Sequence, residues 1–323
     1  MFLIFKSNQI RREMNKNYKC EICNGFDYTI IKDYTYKNKI FSNISIVECN
    51  KCKIKSAFPL PDEKELDDYN SNFFSNAYNT IKKDKISEIF LDTIAKCRVE
   101  FIKNNISNSN KILNVLEVGP GKCHLHDNLK EKFDCKSYSA VETDKNLHSL
   151  INNKNIKIFH SLKEIKSQKF DLIILSHVLE HILFPRKFLD KIHSLLNDDG
   201  KIFIDIPLCL DYKYKDFIEP HLYFYDEETL KLLLKKNHFK VEKLNYFGKK
   251  IFELEKRPLH KNFFFKVCIL LLKINFEFLI KTKNSQSRFL FKNKNQAVME
   301  NIFEMNTATS QKSMWIRCLA TKV

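Results

Sequence analysis

Val115-Leu116-Glu117-Val118-Gly119-Pro120-Gly121 decides the fold of this chain. It is an apolar strand that runs into a turn with two glycines. The whole sequence of 323 residues holds only five glycines, against a usual share of roughly 7%. A chain so poor in glycine spends it where the backbone needs positive φ or a close approach to another group. A second apolar strand, Phe170-Asp171-Leu172-Ile173-Ile174-Leu175-Ser176, ends in the polar cluster His177-Val178-Leu179-Glu180-His181-Ile182. Both stretches read as buried strands whose carboxyl ends carry the chemistry.

Outward from these two strands the pattern alternates. Strands are expected at 112–118, 136–142, 156–159, 170–176, 201–206, 239–246 and 314–322. Helices are expected at about 123–133, 145–151, 185–196 and 226–236, and a longer one at 81–105. Pro185 opens one helix, and Asn197-Asp198-Asp199-Gly200 stops it. Alternation over this length implies an α/β fold with a Rossmann-like, doubly wound, mostly parallel sheet. The expected division is an extension at 1–17, a four-cysteine module at 18–56, and a linker, aromatic segment and helix at 57–110. A core at 111–248, an inserted helical segment at 249–312 and a final core strand at 313–323 complete it.

In such a sheet ligands bind at the carboxyl ends of the strands, near the point where strand order reverses. Gly119 and Gly121 let the first turn approach a ligand, and a helix starting near Cys123 would aim free N–H groups at a negative group. Position 124 is His, so the third glycine of a dinucleotide fingerprint is missing. A nicotinamide oxidoreductase is therefore the least favoured reading. Glu142 closes the second strand, where a carboxylate can accept both hydroxyls of a ribose. Ser176 closes the fourth.

These residues resemble the class I S-adenosylmethionine-dependent methyltransferases. The first motif of that family matches Glu117-Val118-Gly119-Pro120-Gly121, and the acid ending its second strand matches Glu142. Phe170-Asp171-Leu172-Ile173, His177 to Ile182 and Leu196 to Pro207 match further family signatures. The resemblance implies S-adenosylmethionine as cofactor, held by Glu117, Gly119, Gly121, Glu142 and Ser176. It extends upstream: a four-cysteine module, a proline-rich link (Ala57-Phe58-Pro59-Leu60-Pro61) and an aromatic segment form the layout of sugar and surface-polysaccharide methyltransferases. Tyr69 and Tyr78 of that segment are candidates to lid the cofactor. Deoxysugar C-methyltransferases carry a Tyr-Asp-Glu-His segment whose His is the base. Here the segment is Ile218-Glu219-Pro220-His221, so the histidine is kept and its neighbours are not. His221 is the first candidate for the base and His181 the second.

Cys20-Glu21-Ile22-Cys23 and Cys49-Asn50-Lys51-Cys52 bracket a β-rich stretch at 26–48. Two CxxC pairs supply four thiolates, enough for one tetrahedral structural zinc. Gly25 suits the knuckle turn after the first pair. The amino-terminal apolar run is too short for a signal peptide, and the ten cysteines are expected as reduced thiols or metal ligands.

The net charge is +16, and residues 249–294 hold twelve Lys/Arg against three Glu. Within them, 263–280 is apolar with a narrow charged stripe, too charged for a membrane span. It reads as a buried lid or dimerisation helix, with membrane-surface attachment as the alternative. The expected partner is a sugar-like acceptor, possible anionic groups included, with no nucleic acid. The expected location is cytoplasmic or membrane-peripheral. A nucleic-acid or protein methyltransferase stands as an alternative, as does a binding module without catalysis. Aromatic-interleaved basic stripes and the Asn/Asp-Pro-Pro-Tyr motif of base methylators are missing, and intact Glu117, Gly119, Gly121 and Glu142 argue against the non-catalytic reading.

Overall fold

A computed structural model describes residues 18–34, 43–80, 85–106, 113–208, 221–248, 294–308 and 314–323. The stretches 1–17, 263–280 and 218–220, on which several expectations fall, lie outside the described residues. The strands are β1 (Tyr28–Asp33), β2 (Ser45–Cys49), β3 (Lys55–Phe58), β4 (Leu113–Val118), β5 (Cys135–Val141), β6 (Lys157–Phe159), β7 (Phe170–Ser176), β8 (Leu196–Pro207), β9 (Tyr223–Phe224), β10 (Phe239–Phe247) and β11 (Trp315–Lys322). The helices are α1 (Glu63–Thr80), α2 (Lys85–Asn105), α3 (His124–Lys130), α4 (His148–Asn152), α5 (Pro185–Leu195), α6 (Glu227–Lys236) and α7 (Lys294–Phe303).

Seven strands form the main sheet, in the order β10-β11-β8-β7-β4-β5-β6. The pairs β4–β5, β5–β6, β4–β7 and β7–β8 are parallel. Only β11 runs against its neighbours, β8 and β10. The order reverses beside β4, so the Gly119 turn and the end of β7 share the switch point, where such sheets bind ligands. The central strands are buried on both faces: Val115, Leu116, Leu172, Ile173, Ile174, Phe203 and Ile204 are each 0% exposed. That is why they read as apolar runs rather than alternations.

Helix α5 shows how the sequence pays into this core. Leu189, Ile192 and Leu195 recur at helical spacing and are buried, each worth about 1.5–3 kcal/mol. Truncation of Ile192 would open a cavity beneath the sheet. Helix α6 starts at a capping box: the Asp226 carboxylate accepts from the Thr229 N–H at 2.9 Å, and the Asp226 N–H donates to the Thr229 hydroxyl at 3.0 Å. This cap, worth about 1 kcal/mol, fixes where the segment from His221 ends.

A second sheet, in the order β1-β2-β3-β9, is antiparallel throughout. Three strands come from the cysteine module and the fourth from the chain just after His221. The linker expected from residue 57 begins after Phe58. Ala57 and Phe58 lie in β3, opposite Ile46 and Ser45 of β2, because edge pairing satisfies their backbone groups. The stop signal Asn197 to Gly200 does end α5, but its residues are absorbed into β8. They form a bulge between the Phe170–Leu196 and Leu172–Lys201 pairs. A Cβ on Gly200 would lie 2.8 Å from the Asn197 carbonyl oxygen, so this bulge requires glycine. The aromatic segment proves to be α1, started by the Asp62 carboxylate, which accepts from the N–H of Lys64 and of Glu65.

Candidate active site

The turn after β4 places both glycines in the left-handed region, Gly119 at φ 66° and Gly121 at φ 54°. A Cβ on Gly119 would also meet Val178 at 3.0 Å. Helix α3 behind it starts one residue later than expected, because Cys123 itself is left-handed at φ 57°, and it ends at Lys130. Beneath the turn lies Glu117, 2% exposed, accepting from the Tyr138 hydroxyl at 2.5 Å. Burial pushes its carboxyl up to about 7, against the Tyr138 hydrogen bond and the charge of Arg98.

These groups open into a cavity of about 310 Å³, at the lower end of the range for small-molecule sites. It is lined by Glu117, Gly119, Gly121, Ser176 and His177, with Phe90, Ile94 and Arg98 of α2 and Trp315 of β11 opposite. Of the expected cofactor residues, Glu117, Gly119, Gly121 and Ser176 therefore meet at one cavity. Glu142 does not line it. Its carboxylate accepts from the Asp144 N–H at 2.9 Å and interacts with the backbone of Gly121, and burial raises its pKa. Glu142 thus ties the end of β5 to the glycine turn. Tyr69 is half-buried and packs against the core; the Tyr78 side chain lies outside the described residues.

Next to the cavity, the turn after β7 carries a second cluster. His177 is left-handed at φ 54°, and its N–H donates to the Asp205 carbonyl at 2.8 Å. Its Nδ1 lies 3.4 Å from Glu180 Oε1, and His181 Nε2 lies 3.9 Å from the same oxygen. The His181 and His221 rings meet edge to face with centroids 4.9 Å apart. Both expected base candidates thus converge, although forty residues separate them in sequence. Burial drives the His221 imidazole down to about 3, with His181 adding to the shift. Burial would raise Glu180, but His177 and His181 beside it hold it down at about 2. The pair is thus a carboxylate beside a neutral imidazole.

Sequence reasoning missed a buried charged triad that reaches the cavity through Arg98. Asp205 and Arg317 are each 0% exposed, and Arg98 is 9% exposed. Arg98 Nε donates to Asp205 at 2.5 Å, Arg317 Nε lies 3.5 Å away, and the Arg317 guanidinium covers the Phe247 ring at 4.3 Å. Burial works to raise Asp205, yet the two arginines hold it below the usual carboxylate range. One signal was present in the sequence: a lone charge inside an otherwise apolar strand, as in Ile204-Asp205-Ile206 and Ile316-Arg317-Cys318.

The four cysteines of the module also meet. Cys20 and Cys52 sulfurs are 3.6 Å apart, Cys23 and Cys49 sulfurs 3.5 Å, and all four lie within 4.8 Å of one another. A tetrahedral ion with bonds of about 2.3 Å needs sulfurs about 3.8 Å apart, so the donor set fits. The two knuckles are built alike. Asn24 N–H donates to the Cys20 carbonyl and Lys53 N–H to the Cys49 carbonyl, with Asn24 and Lys53 left-handed. Gly25 is therefore not the residue that turns the chain. It allows close approach, since a Cβ there would lie 3.2 Å from the Cys23 sulfur and 3.3 Å from that of Cys49.

A family model described as a methyltransferase domain matches residues 81–244. The chain belongs to that family. Probable polyketide synthase 34 of Dictyostelium discoideum is 24% identical over 211 residues, covering 53% of this chain and 6% of that protein. Probable polyketide synthase 27 of the same organism is 23% identical over 193 residues, covering 50% and 7%. The chain thus spans less than a tenth of the length of these curated relatives. Among solved structures it is similar to magnesium protoporphyrin IX methyltransferase from Synechocystis PCC 6803 with bound SAM (TM-score 0.47, 12% identity, 82% of this chain and 99% of that one). It is also similar to a SAM dependent methyltransferase from Archaeoglobus fulgidus (TM-score 0.46, 19% identity, 72% and 94%). No helix among the described residues is long and apolar enough to cross a membrane.

Proposed function

We propose that this methyltransferase moves a methyl group from S-adenosylmethionine to a hydroxyl of a sugar, nucleotide-sugar or related surface-polysaccharide precursor. The observation that carries the reading is the cavity at the sheet's switch point, where left-handed Gly119 and Gly121 face Ser176 and His177 above the buried Glu117. Bound there, S-adenosylmethionine would supply an electrophilic methyl on a sulfonium, which the acceptor oxygen would take with the thioether as leaving group. Glu117 and the glycine turn hold the amino-acid end. Glu142 would accept the ribose hydroxyls in place of the Asp144 N–H. Such a displacement needs alignment above all, and a hydroxyl acceptor must also lose its proton. Without a metal, His221 is the first candidate to take that proton and His181 beside it the second.

The four cysteines Cys20, Cys23, Cys49 and Cys52 hold a structural zinc with no open coordination position, which takes no part in the chemistry. Its contribution is to fold the strands against which β9 lies. The test is calorimetry with S-adenosylmethionine, followed by a methylation screen over nucleotide-sugars and glycans read by mass spectrometry. Micromolar binding and a product heavier by one methylene unit are expected. No binding would remove the proposal, and methylation of nucleic acid or protein alone would remove the acceptor class.

A further inference from the structure

We infer that Glu180, His181 and His221 form a site for a divalent first-row transition-metal ion, with open positions that take an oxygen of the acceptor. Each residue offers one donor atom, and the three atoms lie within 4.8 Å of one another. Two imidazoles and one carboxylate are a donor set for Zn²⁺, Mn²⁺, Fe²⁺ or Co²⁺ rather than for Mg²⁺ or Ca²⁺, which prefer oxygen throughout. Bonds of about 2.0–2.2 Å place neighbouring donors roughly 3–3.5 Å apart. His181 Nε2 and Glu180 Oε1, now 3.9 Å apart, would close by an adjustment on the scale of a side-chain rotation.

A second observation points the same way. Glu180 is 1% exposed, and among the described residues neither of its carboxylate oxygens accepts a hydrogen bond. A buried carboxylate without hydrogen-bond donors carries a desolvation cost that a bound cation offsets. The side chain is aimed at three imidazoles, the nearest being His177 at 3.4 Å. A cation bound among them removes that cost.

The backbone holds the donors in place before any ion arrives. Glu180 and His181 sit in one turn of 3₁₀ helix, Leu179–His181. The Leu222 N–H donates to the Glu180 carbonyl at 2.8 Å, and the Tyr34 hydroxyl donates to the His221 carbonyl at 2.8 Å. His177 connects the cluster to the cavity, since it lines the cavity and also faces Glu180. The proposed ion would therefore lie one side chain, His177, from the cavity. The role rests on the methyl-transfer reading; the site itself does not. With the ion bound, His221 serves as a ligand, and the ion in its place acidifies the hydroxyl.

The experiment uses the full chain, stripped of metal by a chelator and then dialysed against Zn²⁺ or Mn²⁺, with bound metal counted by mass spectrometry. Circular dichroism checks folding, and calorimetry with S-adenosylmethionine runs on the same samples. One ion per chain should be lost on Glu180→Gln and on His181→Ala. His181 is partly exposed, so its variant keeps the test open should Glu180→Gln fail to fold. Equal metal content in wild type and a folded variant overturns the site. If S-adenosylmethionine still binds in that case, the methyltransferase reading stands without the ion. An ion lost with the variants from a chain that never binds S-adenosylmethionine keeps the site and removes that reading.

Discussion

The phenol of Tyr34, in the cysteine module, donates a buried hydrogen bond of 2.8 Å to the backbone carbonyl of His221, 187 residues further along. The Ala57 N–H donates to the Leu222 carbonyl at 2.8 Å, and Ser56 pairs with Tyr223. The segment that carries His221 is therefore an outer strand of the module's sheet. Tyr34→Phe should cost about 1 kcal/mol of stability and lower turnover while S-adenosylmethionine affinity stays the same. Cys52→Ser should do the same more severely, because the metal site and the fold of the module are one equilibrium. Turnover and melting temperature of the two variants, measured together, check this. Full turnover in a Cys52→Ser protein with a melted module would separate module from site.

His221→Ala should slow turnover on the true acceptor by about 10²–10⁴-fold, the usual contribution of a positioned base. Cofactor affinity should hardly change, because His221 does not line the cavity. His181→Ala is the matched comparison, since the two rings touch edge to face. Single-turnover rates on both variants decide it, and an unaltered rate in His221→Ala removes the assignment.

Glu142→Ala should weaken S-adenosylmethionine by about 1.5–3 kcal/mol, the worth of hydrogen bonds to a charged acceptor. The same change also frees the Asp144 N–H. Glu142→Gln keeps an acceptor for that N–H and loses only the charge, so its loss should be smaller. Calorimetry on both variants separates ribose binding from loop support. Equal affinity in wild type and Glu142→Ala would place the ribose elsewhere.

Glu117 should make stability fall with rising pH. Its folded pKa of about 7 lies above its ordinary 4.5, so the folded state binds the extra proton between those values. Stability is full below about pH 4.5, declines to about pH 7, and is flat above, for a total of about 3 kcal/mol. Tyr138, Arg98, Glu142 and Lys154 set the field around it. A cationic ammonium bound beside Glu117 favours the ionised form, so cofactor binding near pH 6.5 should release a proton. Calorimetry in buffers of different ionisation enthalpy measures that release, and Glu117→Gln should abolish it.

Asp205→Asn should destabilise the protein by about 3–5 kcal/mol, because it leaves two arginines buried without their counter-charge. Denaturant titration measures the loss. A loss below about 1 kcal/mol would mean that Arg98 and Arg317 do not depend on Asp205.

The seven-stranded sheet was legible because its strands are apolar runs between helical periods, and β7 spans 170–176 as read. The glycine turn was legible because glycine is so scarce elsewhere. What was not legible depends on long-range pairing. Tyr223–Phe224 is too short to carry a period, and only the free edge of β3 makes it a strand. The acids and amides at 197–199 read as a turn, yet the register with β7 takes them into β8. Glu142 read as a ribose ligand from its place at a strand end; the hydrogen bond it accepts from the Asp144 N–H depends on the loop's path and was not legible. The cluster of Glu180 with His221 and the triad of Asp205 with two arginines each assemble from distant elements, so no local window contains them.

The four-stranded sheet that mixes β1, β2 and β3 with β9 has a consequence for engineering and for descent. A cut at Pro59 would divide the chain between two tidy halves on paper, yet it would strip the 221–224 segment of its neighbour. Exchange of acceptor preference between relatives by transplanting that segment alone would carry a strand away from the edge that shapes it. The unit of exchange is the seam: the cysteine knuckles and the 221–224 segment must travel together, and substitutions on the two sides should be tolerated in matched pairs.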